Sequence, residues 1–152
     1  MIVIEIYTTM NAKPKLSGSV VAGFPSPAEQ YMEPPLDLNE LLVKHPAATY
    51  FVRVSGDSMT GAGINDGDLL VVDRSLRPAD GDIIIACVDG DFTVKILRER
   101  GMGNGERGTG NEKEVRLVAA NPQYPDIVLK SDQELDFFGK VTACVHQFVK
   151  GR

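Results

Sequence analysis

The sequence predicts an all-β protein of short strands with one short helix and an extended N-terminal arm. Three observations carry this. From residue 49 onward, short apolar runs rich in β-branched residues alternate with glycine-aspartate corners, the signature of strands joined by tight turns. One stretch alone, L-D-L-N-E-L-L-V-K-H, spaces its apolar residues as a substantial helix would. Residues 8–35 carry Pro14, Gly18, Gly23, Pro25, Pro27, Pro34 and Pro35 and few long apolar runs, which reads as extended chain.

Taken in order, the N-terminal M-I-V-I-E-I-Y is far shorter than a membrane span, is interrupted by Glu5 and lacks a basic leader. It is expected to be neither anchor nor signal peptide. The punctuated stretch divides the chain into an arm, 1–35, and a β-rich body, 36–152. The helix opens the body. Asp37 is available as its cap, and Leu38, Leu41, Leu42 and His45 fall on one face. His45, just before Pro46, reads as a helix-end residue and not a ligand. The strands follow as T-Y-F-V-R-V, L-L-V-V-D, D-I-I-I-A-C-V and F-T-V-K-I-L, separated by N-D-G-D, P-A-D-G-D and D-G-D turns. V-R-L-V-A, D-I-V-L-K and F-F-G-K-V-T-A-C-V-H-Q-F-V continue the pattern. In the last of these His146 shares a strand face with Cys144 and Phe148 and reads as structural. Residues 101–114 hold five glycines without a buried period and are expected to form a mobile loop between two strands. They lie in no strand-turn-helix context, so they do not read as a phosphate cradle.

A chain of 152 residues suffices for one core that buries about two-thirds of the unfolded surface. The net charge of -5 opposes direct binding to nucleic acid, whose affinity comes mainly from lysine and arginine at phosphates. Cys87 and Cys144 sit in apolar runs without metal-ligand spacing, so both are expected to be reduced core residues of a cytoplasmic protein. No metal and no cofactor is expected.

The chemistry centres on S-G-D-S-M-T, residues 55–60, where an apolar run breaks into a corner that displays Ser58. A serine at its normal pKa needs a base, and neither His45 nor His146 stands in a triad context. Lys95 is the candidate, because it interrupts a segment otherwise suited to burial. To act near neutral pH its pKa must fall by about three from about 10.4, a differential of about 4 kcal/mol that an apolar pocket can impose. The neutral amine can then take the hydroxyl proton, as in serine-lysine catalysis. Taken singly, Ser58 reads as a turn serine and Lys95 as a solvated edge lysine.

The ordered blocks S-G-D-S-M, G-I-N-D-G-D-L-L-V-V-D, G-D-I-I-I-A and G-D-F-T-V-K change this. They resemble the LexA/UmuD family of self-cleaving serine peptidases, from about Val20 to the C-terminus. The resemblance implies the compact peptidase fold of that family, with Ser58 as nucleophile and Lys95, 37 residues later, as general base. It also implies that the backbone amides at Asp57 and Ser58 form the oxyanion hole, and that the substrate is the chain's own Ala22-Gly23 bond in V-V-A-G. Asp57 itself reads as a turn-former. G-F-P-S-P-A-E-Q-Y and the helix that follows are similar to the UmuD branch. Only 22 residues precede Gly23, too few for the winged-helix domain of the LexA branch. The branch implies cleavage stimulated by a RecA filament on single-stranded DNA. It further implies a trimmed homodimer of residues 23–152 that joins a UmuC-type Y-family polymerase in error-prone copying past DNA damage. Two other readings are a membrane-anchored signal peptidase, which shares the dyad type and an S-x-S-M block, and a non-enzymatic dimerisation or polymerase-binding regulator with an idle dyad. The glycine-rich stretch is longer than the hairpin expected there.

Overall fold

A computed structural model describes residues 36–101, 113–129 and 135–149, together with the backbone of Val3–Ile4. The chain divides into two compact units, Met1–Ile6 with His45–Arg152 and Tyr7–Lys44. In the second unit the described structure is one helix, α1 (Leu38–Leu42). The Asp37 carboxylate accepts the Asn39 N–H at 3.0 Å and caps it as anticipated. The helix is shorter than its apolar spacing predicted. Val43 is already extended, and Pro46 disfavours helical backbone at the residue before it. His45 therefore does not close this helix; it stands instead at the start of the 3-10 turn Pro46–Ala48, its carbonyl accepting the Ala48 N–H at 3.0 Å.

The first unit is an antiparallel sheet. Its strands are β1 (Val3–Ile4), β2 (Thr49–Arg53), β3 (Leu69–Asp73), β4 (Ile83–Val88), β5 (Asp91–Gly101), β6 (Lys113–Val118), β7 (Ile127–Val128) and β8 (Leu135–Val145). Among the described residues their order is β1-β2-β3-β8-β4-β5-β6-β7. The predicted all-β class is borne out. The corners behave as their chemistry requires: Asp89 and Gly90 both take positive φ, at 50° and 89°, which allows a two-residue hairpin to carry β4 into β5. Gly67 and Gly81 also take positive φ, in the N-D-G-D and P-A-D-G-D corners.

β8 lies between β3 and β4, so those strands are joined through the end of the chain. The unbroken apolar run of β4 follows from its position. Ile85 packs with Val52, Val54, Met59, Leu70, Val72 and Val94 on one side, while Ile84 and Ala86 pack with Leu97 and Leu117 on the other. Each large side chain so buried contributes about 1.5–3 kcal/mol.

Three further expectations are corrected. β5 reaches Gly101 and β6 begins at Lys113, so the two ends of the 101–114 stretch are paired strand; residues 102–112 lie outside the described residues. Cys144 is exposed and Cys87 only half-buried, so neither free thiol is a core residue. β8 stops at Val145, where its pairing with Leu69 ends, which leaves His146 and Phe148 beyond the strand. No helix among the described residues is long and apolar enough to cross a membrane.

Candidate active site

The corner 55–64 is held from below and from the sides. Met59 and Ile64 are buried in the core and bracket the exposed Thr60–Gly63 turn. The Met59 carbonyl accepts the N–H groups of Ala62 and Ile64, and Gly63 closes the turn in left-handed backbone. Gly56 (φ 103°) donates its N–H to the Asp66 carboxylate at 2.8 Å. Ser58 thus sits half-buried between an exposed Asp57 and a buried Met59.

β5 brings Lys95 to the same place. Its side chain is 8% exposed, and Nζ lies 3.2 Å from Ser58 Oγ, 2.7 Å from Thr93 Oγ1 and 3.0 Å from the Val94 carbonyl. Burial lowers the Lys95 pKa from its ordinary value. This arrangement has a definite capacity. A neutral amine has two N–H groups and one lone pair. If Val94 and Thr93 take the two N–H groups, the lone pair faces Ser58 Oγ and can accept its proton. The ammonium form can only donate to Oγ.

Ser58 and Lys95 open into a cleft of about 250 Å³, walled by Val54, Ser55, Asp57, Phe92, Thr93 and Tyr124. The Phe92 ring stands edge-on to Phe138, which stands edge-on to Tyr50, so this wall is braced by an aromatic row. Ala22 and Gly23 lie outside the described residues.

Four neighbours of the corner were not found in the sequence. The loop after β6 approaches it: Gly61 N–H donates to the Ala120 carbonyl at 2.6 Å, Asn121 Nδ2 to the Asp57 carbonyl at 2.9 Å, and the Tyr124 hydroxyl to the Asp57 carboxylate. That carboxylate raises the Tyr124 pKa. Asp66 is the fourth. The N-P-Q-Y-P run signals a turn, but nothing local announces a contact more than 60 residues away.

Neither histidine joins the cleft. The His45 ring meets Asp73 Oδ2 at 2.6 Å, and the His146 ring meets Asp68 Oδ1, beside Cys144 Sγ at 3.4 Å from Asp68 Oδ2. Burial alone would push the Asp68 carboxyl up. The Asn65 N–H, His146 and Cys144 outweigh burial and hold it below its ordinary value. Asp73 behaves alike, with Ser75 and His45 as its partners. Although Cys144 is exposed as a residue, partial burial of its sulfur, with Asp68 adding to it, pushes the thiol up to about 11, which makes it a poor nucleophile at neutral pH.

Residues 14–142 match the model of the peptidase S24-like family. The chain belongs to that family. It is 45% identical over 126 residues to Protein SamA of Salmonella typhimurium, covering 83% of this chain and 79% of that one. It is 41% identical over 137 residues to Protein ImpA of Escherichia coli, covering 89% and 84%. A LexA repressor from Azoarcus is 39% identical over 114 residues, covering 75% of this chain and 50% of the repressor. The likeness drawn from the four ordered blocks therefore holds at the level of the family, and the family is one of peptidases.

Proposed function

We propose that this protein is a self-cleaving serine peptidase of the UmuD type, with Ser58 as nucleophile, Lys95 as general base and the Ala22-Gly23 bond as substrate. The observation that carries the reading is a buried lysine amine 3.2 Å from a serine hydroxyl at the edge of an open cleft. Lys95 takes the Ser58 proton, Oγ bonds to the Ala22 carbonyl carbon, and the amides of Asp57 and Ser58 receive the negative oxygen. The bond to Gly23 nitrogen breaks as Lys95 returns the proton to the leaving amine. Water, deprotonated in turn by Lys95, then hydrolyses the ester and frees Ser58.

The biological setting follows from the UmuD likeness. A RecA filament on single-stranded DNA stimulates cleavage in the cytoplasm, and residues 23–152 form a homodimer that serves a UmuC-type Y-family polymerase in SOS mutagenesis. The arm 1–35 delivers the bond, and the body 36–152 supplies peptidase and dimer surface. Incubation of the purified chain followed by intact-mass measurement is expected to yield fragments 1–22 and 23–152. Ser58→Ala and Lys95→Ala should remain whole. A cut elsewhere, or fragments from Ser58→Ala at the wild-type rate, would refute the assignment.

A further inference from the structure

The loop after β6 grips the corner at three points, and one of them acts on the reactive amide itself. Asn121 Nδ2 donates to the carbonyl of Asp57 at 2.9 Å. That carbonyl belongs to the same peptide unit as the Ser58 N–H. The unit is planar and trans, so its C=O and N–H point in opposite directions and fixing one fixes the other. Donation to the carbonyl also polarises the amide and strengthens its N–H as a donor.

Asn121 is itself held in place. Its Oδ1 accepts the Gln123 N–H at 3.0 Å, and its backbone carbonyl accepts the Tyr124 N–H at 3.1 Å. With Oδ1 occupied by its own turn, the amino group is the end that faces Asp57. Among the described residues nothing accepts the Ser58 N–H. The corner therefore holds an amide whose carbonyl is clamped and whose N–H is available to an incoming oxygen.

We infer that Asn121 is a positioning residue for acyl transfer at Ser58: it clamps the 57–58 peptide so that the Ser58 N–H is aimed, before the reaction, at the site where the oxyanion forms. This rests on the Ser58-Lys95 reading. The clamp acts on the transition state and leaves Lys95 untouched, so its loss should lower the rate without changing the pH at which the base titrates.

The test is self-cleavage of the full chain, followed by intact mass across a pH series, in wild type, Asn121→Asp, Asn121→Ser and Ser58→Ala. Aspartate keeps the acceptor for the Gln123 N–H but sets an acceptor, in place of a donor, against the Asp57 carbonyl. Serine keeps a turn-forming hydroxyl that is too short to reach that carbonyl, and it decides the matter if the aspartate variant does not fold. Both are expected to cleave about 10- to 100-fold more slowly at the high-pH plateau, with the midpoint of the rate profile unmoved in the uncharged Asn121→Ser and shifted upward by the added carboxylate in Asn121→Asp. A wild-type plateau in either folded variant, or a loss that comes wholly from a moved midpoint, overturns the clamp while an inactive Ser58→Ala leaves the dyad standing. Cleavage by Ser58→Ala at the wild-type rate overturns both.

Discussion

Lys95 is an expensive residue to place in a strand that packs against the core. Its charged form loses water on folding, and this lowers its pKa in the folded chain. The folded state then binds fewer protons than the unfolded state between the lowered value and about 10.5, so stability rises with pH across that window. Lys95→Met should be more stable than wild type at neutral pH, each tenfold loss of proton affinity amounting to about 1.4 kcal/mol. The advantage should shrink as pH approaches 10.5, which thermal unfolding at several pH values would follow. An advantage that stays constant with pH would show that desolvation is not the cause. Ser58 and Lys95 each break a local pattern, but taken singly they read as a turn serine and an edge lysine, and the resemblance carried by the ordered blocks is what pairs them. Asn121, Tyr124 and Asp66 break none. They act through partners far along the chain or across the corner, and their residue types are ordinary for turns.

At the scale of elements, two glycines mark where the chain passes too close to a neighbouring backbone or side chain to carry a Cβ. A Cβ on Gly61 would lie 2.4 Å from the Ala120 carbonyl oxygen, a backbone atom that cannot swing aside. Gly61→Ala should push the corner away from the loop after β6 and slow self-cleavage at least tenfold, with a smaller loss of stability, about 1–3 kcal/mol. A Cβ on Gly139 would lie 2.5 Å from Cγ1 of the fully buried Val72, where β8 crosses β3. Gly139→Ala should lower the denaturant midpoint by a similar energy. Unchanged midpoints would show that the sheet gives way more easily than its packing implies. The strands themselves were legible because alternation and turn residues are local signals. Their order was not: the insertion of β8 between β3 and β4 depends on pairings 47 to 76 residues apart, and a period of two does not name its partner. The observed helix is shorter than the spacing predicts because the periodic positions run on to His45 while the backbone is already extended at Val43.

For the molecule as a whole, β3 carries a buried carboxylate at or beside each end. Asp68 just before it and Asp73 at its last residue are each held below the ordinary value of 3.8. Groups lowered on folding stabilise the protein above that value, and the contribution is lost as pH falls through their folded values. Wild type should therefore lose stability steeply below about pH 4. Asp68→Asn should be less stable at pH 7, by about 1–3 kcal/mol, and should lose less on acidification, as acid titration of the unfolding midpoint would record. Equal acid slopes would remove Asp68 from this role. The central claim is that a neutral Lys95 activates Ser58 against the chain's own arm. Its most direct test is the rate of self-cleavage against pH in wild type and Lys95→Ala. The wild-type rate should climb with pH and level off below 10.5, with no cleavage above background in the variant. A wild-type rate that is flat with pH, or a variant that follows the wild-type curve, would contradict it.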